Sequence, residues 1–390
     1  LTYLFTKYID ILVNVETINL LTPLHIASSK GYTEIVKLLL KHNDINVNIK
    51  NKNDNTPLYI ALSNGHTEIV ALLLKRGDIN VNIQDNYNGD TPLHLALSKG
   101  HTEIVKLLLA RKDIKVDIVN YNQYTPLYIA LSNGHTEIVP LLLERKDINV
   151  NIKDNYNRYT PLHIALLNGY TEIAKLLLKR EDIDVNIQNK NKDTPLHIAL
   201  SKGYTDIVKL LLMNPKINVN IKNKYDDTPL YIALSKGYTD IVKLLLARED
   251  IIVNIQNEYS NSPLHIALSN NHTEIVKLLL ADPEINVNIK NKYDETPLHV
   301  ASLNGNTEIV KLLLARKDIN VNFLNKKKNT PLDMALSKKH TEIVKLLLAR
   351  EDIEVNIQNK NGDTQLHHMA SLNGYTEIIK LLLERDDIKV

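Results

Sequence analysis

The chain of 390 residues has no cysteine and no tryptophan, and only two phenylalanines. Without cysteine there can be no disulfide, no thiolate zinc site and no cysteine nucleophile. The same lack fits a reducing compartment, so an intracellular, cytoplasmic protein is expected, with host-directed secretion as the other route. Charge of one sign is missing as well: 47 Lys and Arg face 45 Asp and Glu, a net of +2. So small a balance creates no whole-chain field to recruit nucleic acid or an anionic membrane. No apolar run approaches the ~18 residues that a membrane helix requires, so direct membrane insertion is not expected. No P-loop, no Gly-x-Gly-x-x-Gly, no His-Glu-x-x-His and no serine in a triad context occur. The expectation is a non-enzyme with no cofactor, no metal site and no catalytic residue.

What is present is a period. Thr-Pro-Leu or Ser-Pro-Leu begins at 22, 56, 91, 125, 160, 194, 228, 262, 296 and 330, in steps of 34 or 35 residues. A degenerate copy, Thr364-Gln365-Leu366-His367, closes the series. A period of this size, sustained end to end, specifies a solenoid, which grows by adding repeats rather than by enlarging one core. The single solenoid expected over 1–390 has a partial repeat at 1–21 and complete ones at 22–55, 56–90, 91–124, 125–159, 160–193, 194–227, 228–261, 262–295, 296–329 and 330–363. A last repeat, 364–390, lacks its final turn. The pattern starts part-way through a repeat and without Met, so both ends are read as cut from a longer protein.

Each copy can be read physically. Thr22-Pro23 opens a helix, because Thr is a good N-cap and Pro at the first helical position loses no needed donor. Gly31 ends that helix, where a left-handed residue costs least as Gly. Thr33 is expected to cap a second helix, with Glu34 favourable to its dipole. Ile35, Val36, Leu38, Leu39 and Leu40 then form an apolar stripe at helical spacing. The alternation Ile45-Asn46-Val47-Asn48-Ile49 predicts an extended segment before a polar turn into the next copy. One repeat holds too few large apolar side chains to offset its own ordering entropy, so neighbours must supply the burial.

The series Thr-Pro-Leu-His, Gly-His or Gly-Tyr, Glu-Ile-Val-Lys-Leu-Leu-Leu and Val-Asn resembles the ankyrin repeat over essentially all of 1–390. The resemblance implies an all-α solenoid of stacked helix-turn-helix repeats with outward β-hairpin loops, curved and elongated. It also implies that the hairpin tips and the concave face bind protein partners, and that the first His is a structural hydrogen bonder between neighbours. The Asn of Val-Asn (48, 82, 151, 186, 220, 254, 288, 322 and 356) matches a position that an asparaginyl hydroxylase can modify in the family, and Asp117 breaks the set. A turn-stabilising role is the plainer reading of these residues.

Departures from the pattern predict local differences. The turns at 85–90 and 154–159 each gain a residue and should protrude. Asn271 and Lys339 replace the helix-ending Gly, and Lys339 should cost about 1 kcal/mol. Pro140 falls in the first turns of a second helix and predicts a kink. His367-His368-Met369 inserts a residue and predicts a bulged last first-helix.

Fourteen His invite a metal hypothesis. Seven occupy the Thr-Pro-Leu-His phase (25, 94, 163, 197, 265, 299, 367) and five follow the helix end (66, 101, 135, 272, 340), but Tyr replaces them at site after site. A ligand or a base would not be so interchangeable, so these His are read as structural. Function is expected where repetition fails. Tyr87, Tyr121, Tyr124, Tyr156, Tyr159, Tyr225, Tyr259 and Tyr293 lie at predicted tips, and Tyr gives amphipathic contact area at small entropic cost. Packing against neighbouring tips is the competing reading. Lys326, Lys327, Lys328, Lys338 and Lys339 form a second candidate, on one predicted side, for an acidic or phosphate-bearing surface; solvated lysines are the competing reading there. The function expected is a monomeric, non-catalytic protein-interaction scaffold. The alternatives are a regulatory or targeting region of a larger enzyme, channel, secreted effector or toxin, and a mechanical spacer.

Overall fold

Thr22 shows how each repeat begins. Its backbone is extended (φ −85°, ψ 165°), its hydroxyl accepts the His25 N–H, and the His25 imidazole accepts the Thr22 N–H in return. This reciprocal cap satisfies donors that a helix start leaves open, and Pro23 supplies a preset φ with no donor to lose. The computed structural model that carries these details describes residues 13–358, 360, 362, 364, 376–383 and 385.

Among the described residues every regular element is an α-helix, and the helices alternate in pairs. First helices include Pro23–Lys30, Pro57–Ser63, Pro92–Ser98, Pro229–Lys236 and Pro297–Asn304; second helices include Thr33–Leu39, Thr67–Leu74, Thr102–Leu109 and Thr239–Leu246. They fall into two compact units, Leu1–Ile198 and Ala199–Val390. Within each unit first helices pack on first helices and second on second. The Leu of Thr-Pro-Leu (24, 58, 93) and the Val of the second helix (36, 70, 105) are fully buried between them, which is the burial a lone repeat lacks.

Three expectations are corrected. No strand forms among the described residues: Ile45-Asn46-Val47-Asn48-Ile49 runs through tight turns, although Ile45 and Val47 are buried. Asn48 N–H is taken by the Asn46 side chain at 3.0 Å and Asn46 N–H by Asn14 at 2.9 Å. Side-chain amides therefore hold the backbone groups that a ladder would have used. Thr33 is the first helical residue rather than the cap; the cap position is Tyr32, which makes no side-chain bond to the helix. Among its counterparts Asn306 does cap, accepting the Ile309 N–H at 3.2 Å. Pro140 does not kink a full-length helix. It shortens one to Val139–Leu143, with Thr136–Ile138 left in a turn, because Pro cannot donate to the carbonyl of residue 136 and its ring crowds it. Asn271 and Lys339 do adopt the left-handed conformation, at φ 56° and 61°. The His367-His368-Met369 bulge lies outside the described residues.

Three polar joints tie neighbouring repeats. In the first, Nδ1 of His25 accepts from Thr22 N–H at 3.1 Å and shares a 2.8 Å contact with the Thr22 hydroxyl, while Nε2 lies 3.1 Å from the Asn55 carbonyl. A carbonyl only accepts and a backbone N–H only donates, so the ring is the neutral tautomer protonated on Nε2. His94, His163, His265 and His299 repeat the arrangement. Burial pushes His163, His265 and His299 down to about 4, against a smaller upward pull from the backbone bonds.

In the second joint the Val-Asn amide reaches forward. Asn48 Nδ2 donates to Asp78 O at 2.7 Å and Asn48 Oδ1 accepts from Asn80 N–H at 2.8 Å. In the third, an arginine caps the carbonyl end of the preceding second helix. Arg111 donates to Leu74 O and Arg76 O at 2.9 and 3.0 Å while gripping Asp113 with its other nitrogens. Arg76, Arg145, Arg180, Arg248 and Arg350 do likewise. Cations at helix C-termini also complement the dipole.

Candidate functional site

The joints account for the residues that repeat. The tips carry the ones that do not. In a five-residue tip such as 51–55, Asn51 Oδ1 accepts the N–H of Asn53 and Asn55 at 2.9 and 3.0 Å, and Asp54 turns the chain at φ 59°. Asn120, Asn189, Asn223, Asn257, Asn291 and Asn325 anchor tips in the same way. At several steps the second residue of a tip donates its N–H to a carbonyl of the tip before it, the third residue's in a five-residue tip and the fourth residue's in a longer one. Lys52 bonds to Asn19 O and Tyr121 to Asn88 O in the first unit; Lys292 bonds to Tyr259 O in the second. Where it forms, this backbone bond fixes the register of one tip against the next.

The longer tips are built on aspartate. Asp85 Oδ1 accepts three N–H groups, from Tyr87, Asn88 and Gly89, at 2.9, 2.7 and 3.1 Å. Asp154 accepts from Tyr156 and Asn157 on one oxygen and from Tyr159 on the other. The added residue brings an added donor, and a carboxylate has the acceptor capacity for it. Burial alone would raise Asp85, but hydrogen bonds from Tyr59 and those N–H groups outweigh it and hold the carboxyl below its ordinary value. The Tyr59 hydroxyl, 2.6 Å from Asp85, is pushed up by burial and by that bond. The sequence signal for this anchor is the Asp at 85 and 154, where the five-residue tips from 51 onward have Asn.

The eight tip tyrosines divide. Tyr87 and Tyr156, on the longer tips, stand furthest out at 89% and 73% exposed. Tyr225, Tyr259 and Tyr293 are about half exposed, at 49%, 46% and 54%. Tyr121 is exposed, but its ring covers Gly89 so closely that a Cβ there would clash with it, and Gly89 holds φ 72° besides. Tyr124 and Tyr159 are half-buried. Tyr124 stacks flat on Tyr128 with ring centroids 4.3 Å apart, and Tyr159 lies 6.0 Å from the His163 ring. For these last two the reading as tip-packing residues is the one the contacts favour.

Lysines accompany the exposed rings. Lys190 Nζ lies 5.4 Å from the Tyr156 centroid, Lys224 lies 4.8 Å from Tyr225, and Lys292 lies between Tyr259 and Tyr293 at 3.9 and 5.1 Å. These are cation–π distances. Lys326, Lys327 and Lys328 are all exposed on one tip, with Lys328 at φ 57°. Lys338 and Lys339 are exposed too, but at the far end of the helix Pro331–Ser337. Seven helical residues, about 10 Å of helix, lie between the two groups.

Sequence reasoning passed over the arginine and Val-Asn joints. Both had a signal, Arg-x-Asp at 76, 111, 145, 180, 248, 316 and 350 and Val-Asn one period apart. Among the described residues no group of three His, Asp or Glu could hold a metal ion, and no helix is long and apolar enough to cross a membrane. A family model described as ankyrin repeats (3 copies) matches residues 4–85, 77–154, 147–223, 215–291 and 284–359. No curated protein matches the chain.

Proposed function

The chain belongs to the ankyrin-repeat family, whose repeats are generally protein-interaction modules, and from that premise we propose that it is a non-catalytic scaffold holding partner proteins along its tips and the adjoining first-helix face. One observation carries the proposal. The repeated His, Asn and Arg are spent on joints between neighbours, whereas Tyr87, Tyr121, Tyr156, Tyr225, Tyr259 and Tyr293 remain exposed. Rings held by rigid tips offer contact area at little entropic cost. The balanced charge supports protein partners over nucleic acid. Lys326, Lys327 and Lys328, on the tip next to Tyr293, steer acidic partner segments to the tips of the second unit.

The test is capture from the native cell followed by mass spectrometry, comparing the wild-type chain with a variant carrying serine at Tyr87, Tyr156, Tyr225, Tyr259 and Tyr293. Loss of specific partners with little change in melting temperature supports the scaffold. Retention of every partner by the variant removes the tips from the proposal. A Lys327→Glu variant should weaken capture mainly at low salt.

A further inference from the structure

The tips of the second unit are more regular than a general binding surface needs to be. Tips 223–227, 257–261 and 291–295 are consecutive, all five residues long, and each has Tyr in third place. The N–H of each tyrosine is held by the tip asparagine, at 2.9 Å in Tyr225, 3.0 Å in Tyr259 and 2.9 Å in Tyr293. The carbonyl of each accepts the N–H of the next tip's second residue, Glu258, Lys292 and Lys326. Both backbone groups are thus fixed identically three times over, and the rings are presented at nearly the same exposure. Stacked helix layers lie on the order of 10 Å apart, so the rings form a row with that spacing.

Resting on the scaffold reading above, we propose that Tyr225, Tyr259 and Tyr293 bind a proline-rich segment of a partner in the polyproline II conformation. That helix has three residues per turn and repeats every ~9 Å, close to the spacing of the row. A proline at every third position would present one ring to each tyrosine, and aromatic surfaces recognise such segments because they are already extended and lose little entropy on docking. A strand places same-face residues ~7 Å apart and falls out of step with the row, whereas an α-helix, at ~5 Å per turn, would meet it only at every second turn and would have to order its backbone on docking. The second residues of these tips alternate in charge, Lys224, Glu258 and Lys292, with Lys224 over the Tyr225 ring and Lys292 between Tyr259 and Tyr293. With Asp226, Asp294 and Glu295 on the same tips, the surface does not favour a polyphosphate, and single-stranded nucleic acid is the less suited occupant.

The experiment uses the full chain and a fluorescein-labelled peptide (Pro-Pro-Gln)5, with (Ala-Ala-Gln)5 and a single-stranded oligo-dT as comparison probes, read by fluorescence anisotropy. The proline peptide should bind at least about tenfold more tightly than either comparison. Tyr225→Ser, Tyr259→Ser and Tyr293→Ser combined should weaken it about tenfold or more, while the three Tyr→Phe changes, which keep the rings, should retain binding within about threefold. Circular dichroism of both variants separates loss of fold from loss of binding. Equal binding of the two peptides, tighter binding of oligo-dT, or indifference to the serine changes in a folded variant would overturn the proposal. If partner capture still depends on the tyrosines while (Pro-Pro-Gln)5 fails to bind, the scaffold stands and the polyproline ligand does not.

Discussion

The Asn149 N–H donates to one carboxylate oxygen of Asp117 at 2.8 Å, while the other oxygen of Asp117 is buried with no hydrogen-bond partner. At Asn14, Asn48, Asn82, Asn151, Asn220, Asn254, Asn288 and Asn322 the equivalent atom is an amide nitrogen that donates to a carbonyl of the next repeat. An ionised carboxylate accepts but cannot donate. Asp117 therefore makes half of a joint that its counterparts make whole.

Asp117→Asn should accordingly stabilise the protein by about 1 kcal/mol, the worth of one hydrogen bond regained with an orphan removed. Urea unfolding of the two proteins measures it, and an unchanged or lowered midpoint would count against the joint. The pH dependence follows from the same geometry. Burial raises Asp117 above its ordinary 3.8, and Asp147 adds to this. The folded state then holds the proton more tightly than the unfolded chain, so this group's contribution improves as pH falls through the folded value toward 3.8. The advantage of asparagine should be largest near neutrality and shrink toward pH 4.

The imidazoles of the first joint act in the opposite sense. His163, His265 and His299 have folded values of about 4 against an ordinary 6.5. Between those two values the unfolded chain binds more protons, so stability is fully present above 6.5 and is lost as pH falls toward 4. Each should forfeit on the order of 3 kcal/mol across that window. His163→Gln, which keeps a donor and an acceptor but does not titrate, should lower stability at pH 7 and flatten its fall below 6.5. An equally steep fall in His163→Gln would assign the acid sensitivity elsewhere.

Arg111 caps carbonyls of the preceding repeat and grips Asp113 at once. Arg111→Ala should cost about 1–3 kcal/mol by leaving those carbonyls to water or unpaired. Arg111→Lys should recover little, because an ammonium is a single point of charge and lacks the planar fork. Thermal unfolding of both variants checks this; full recovery by lysine would make the interaction one of charge alone.

Pro140→Lys should let the second helix begin at Thr136, as it does in the repeats with Lys at that place, and raise stability by about 1–3 kcal/mol. Amide exchange at residues 136–138 should slow as the first turn forms. No gain in stability, or no protection of that turn, would show that the shortened helix is held by something other than the proline.

The sequence by itself determined the helix pairs, their starts at Thr-Pro, the left-handed residue at their ends and the core leucines and valines. These are set by interactions within a few residues, such as the Thr22–His25 cap, and by apolar periodicity, so a local pattern carries them in full. It also located the tips and their tyrosines. Only the tertiary structure decided which tyrosines are spent on packing: Tyr124 is half-buried because Tyr128 lies 4.3 Å beneath it, whereas Tyr87 has no such platform. Nor could a local reading tell that Asn48 and Arg111 serve the neighbouring repeat, at separations of 30 and 37 residues. Those bonds depend on how far each repeat is displaced from the one before it. That displacement arises from side chains meshing across the stack, and it also brings Tyr225, Tyr259 and Tyr293 into a single row.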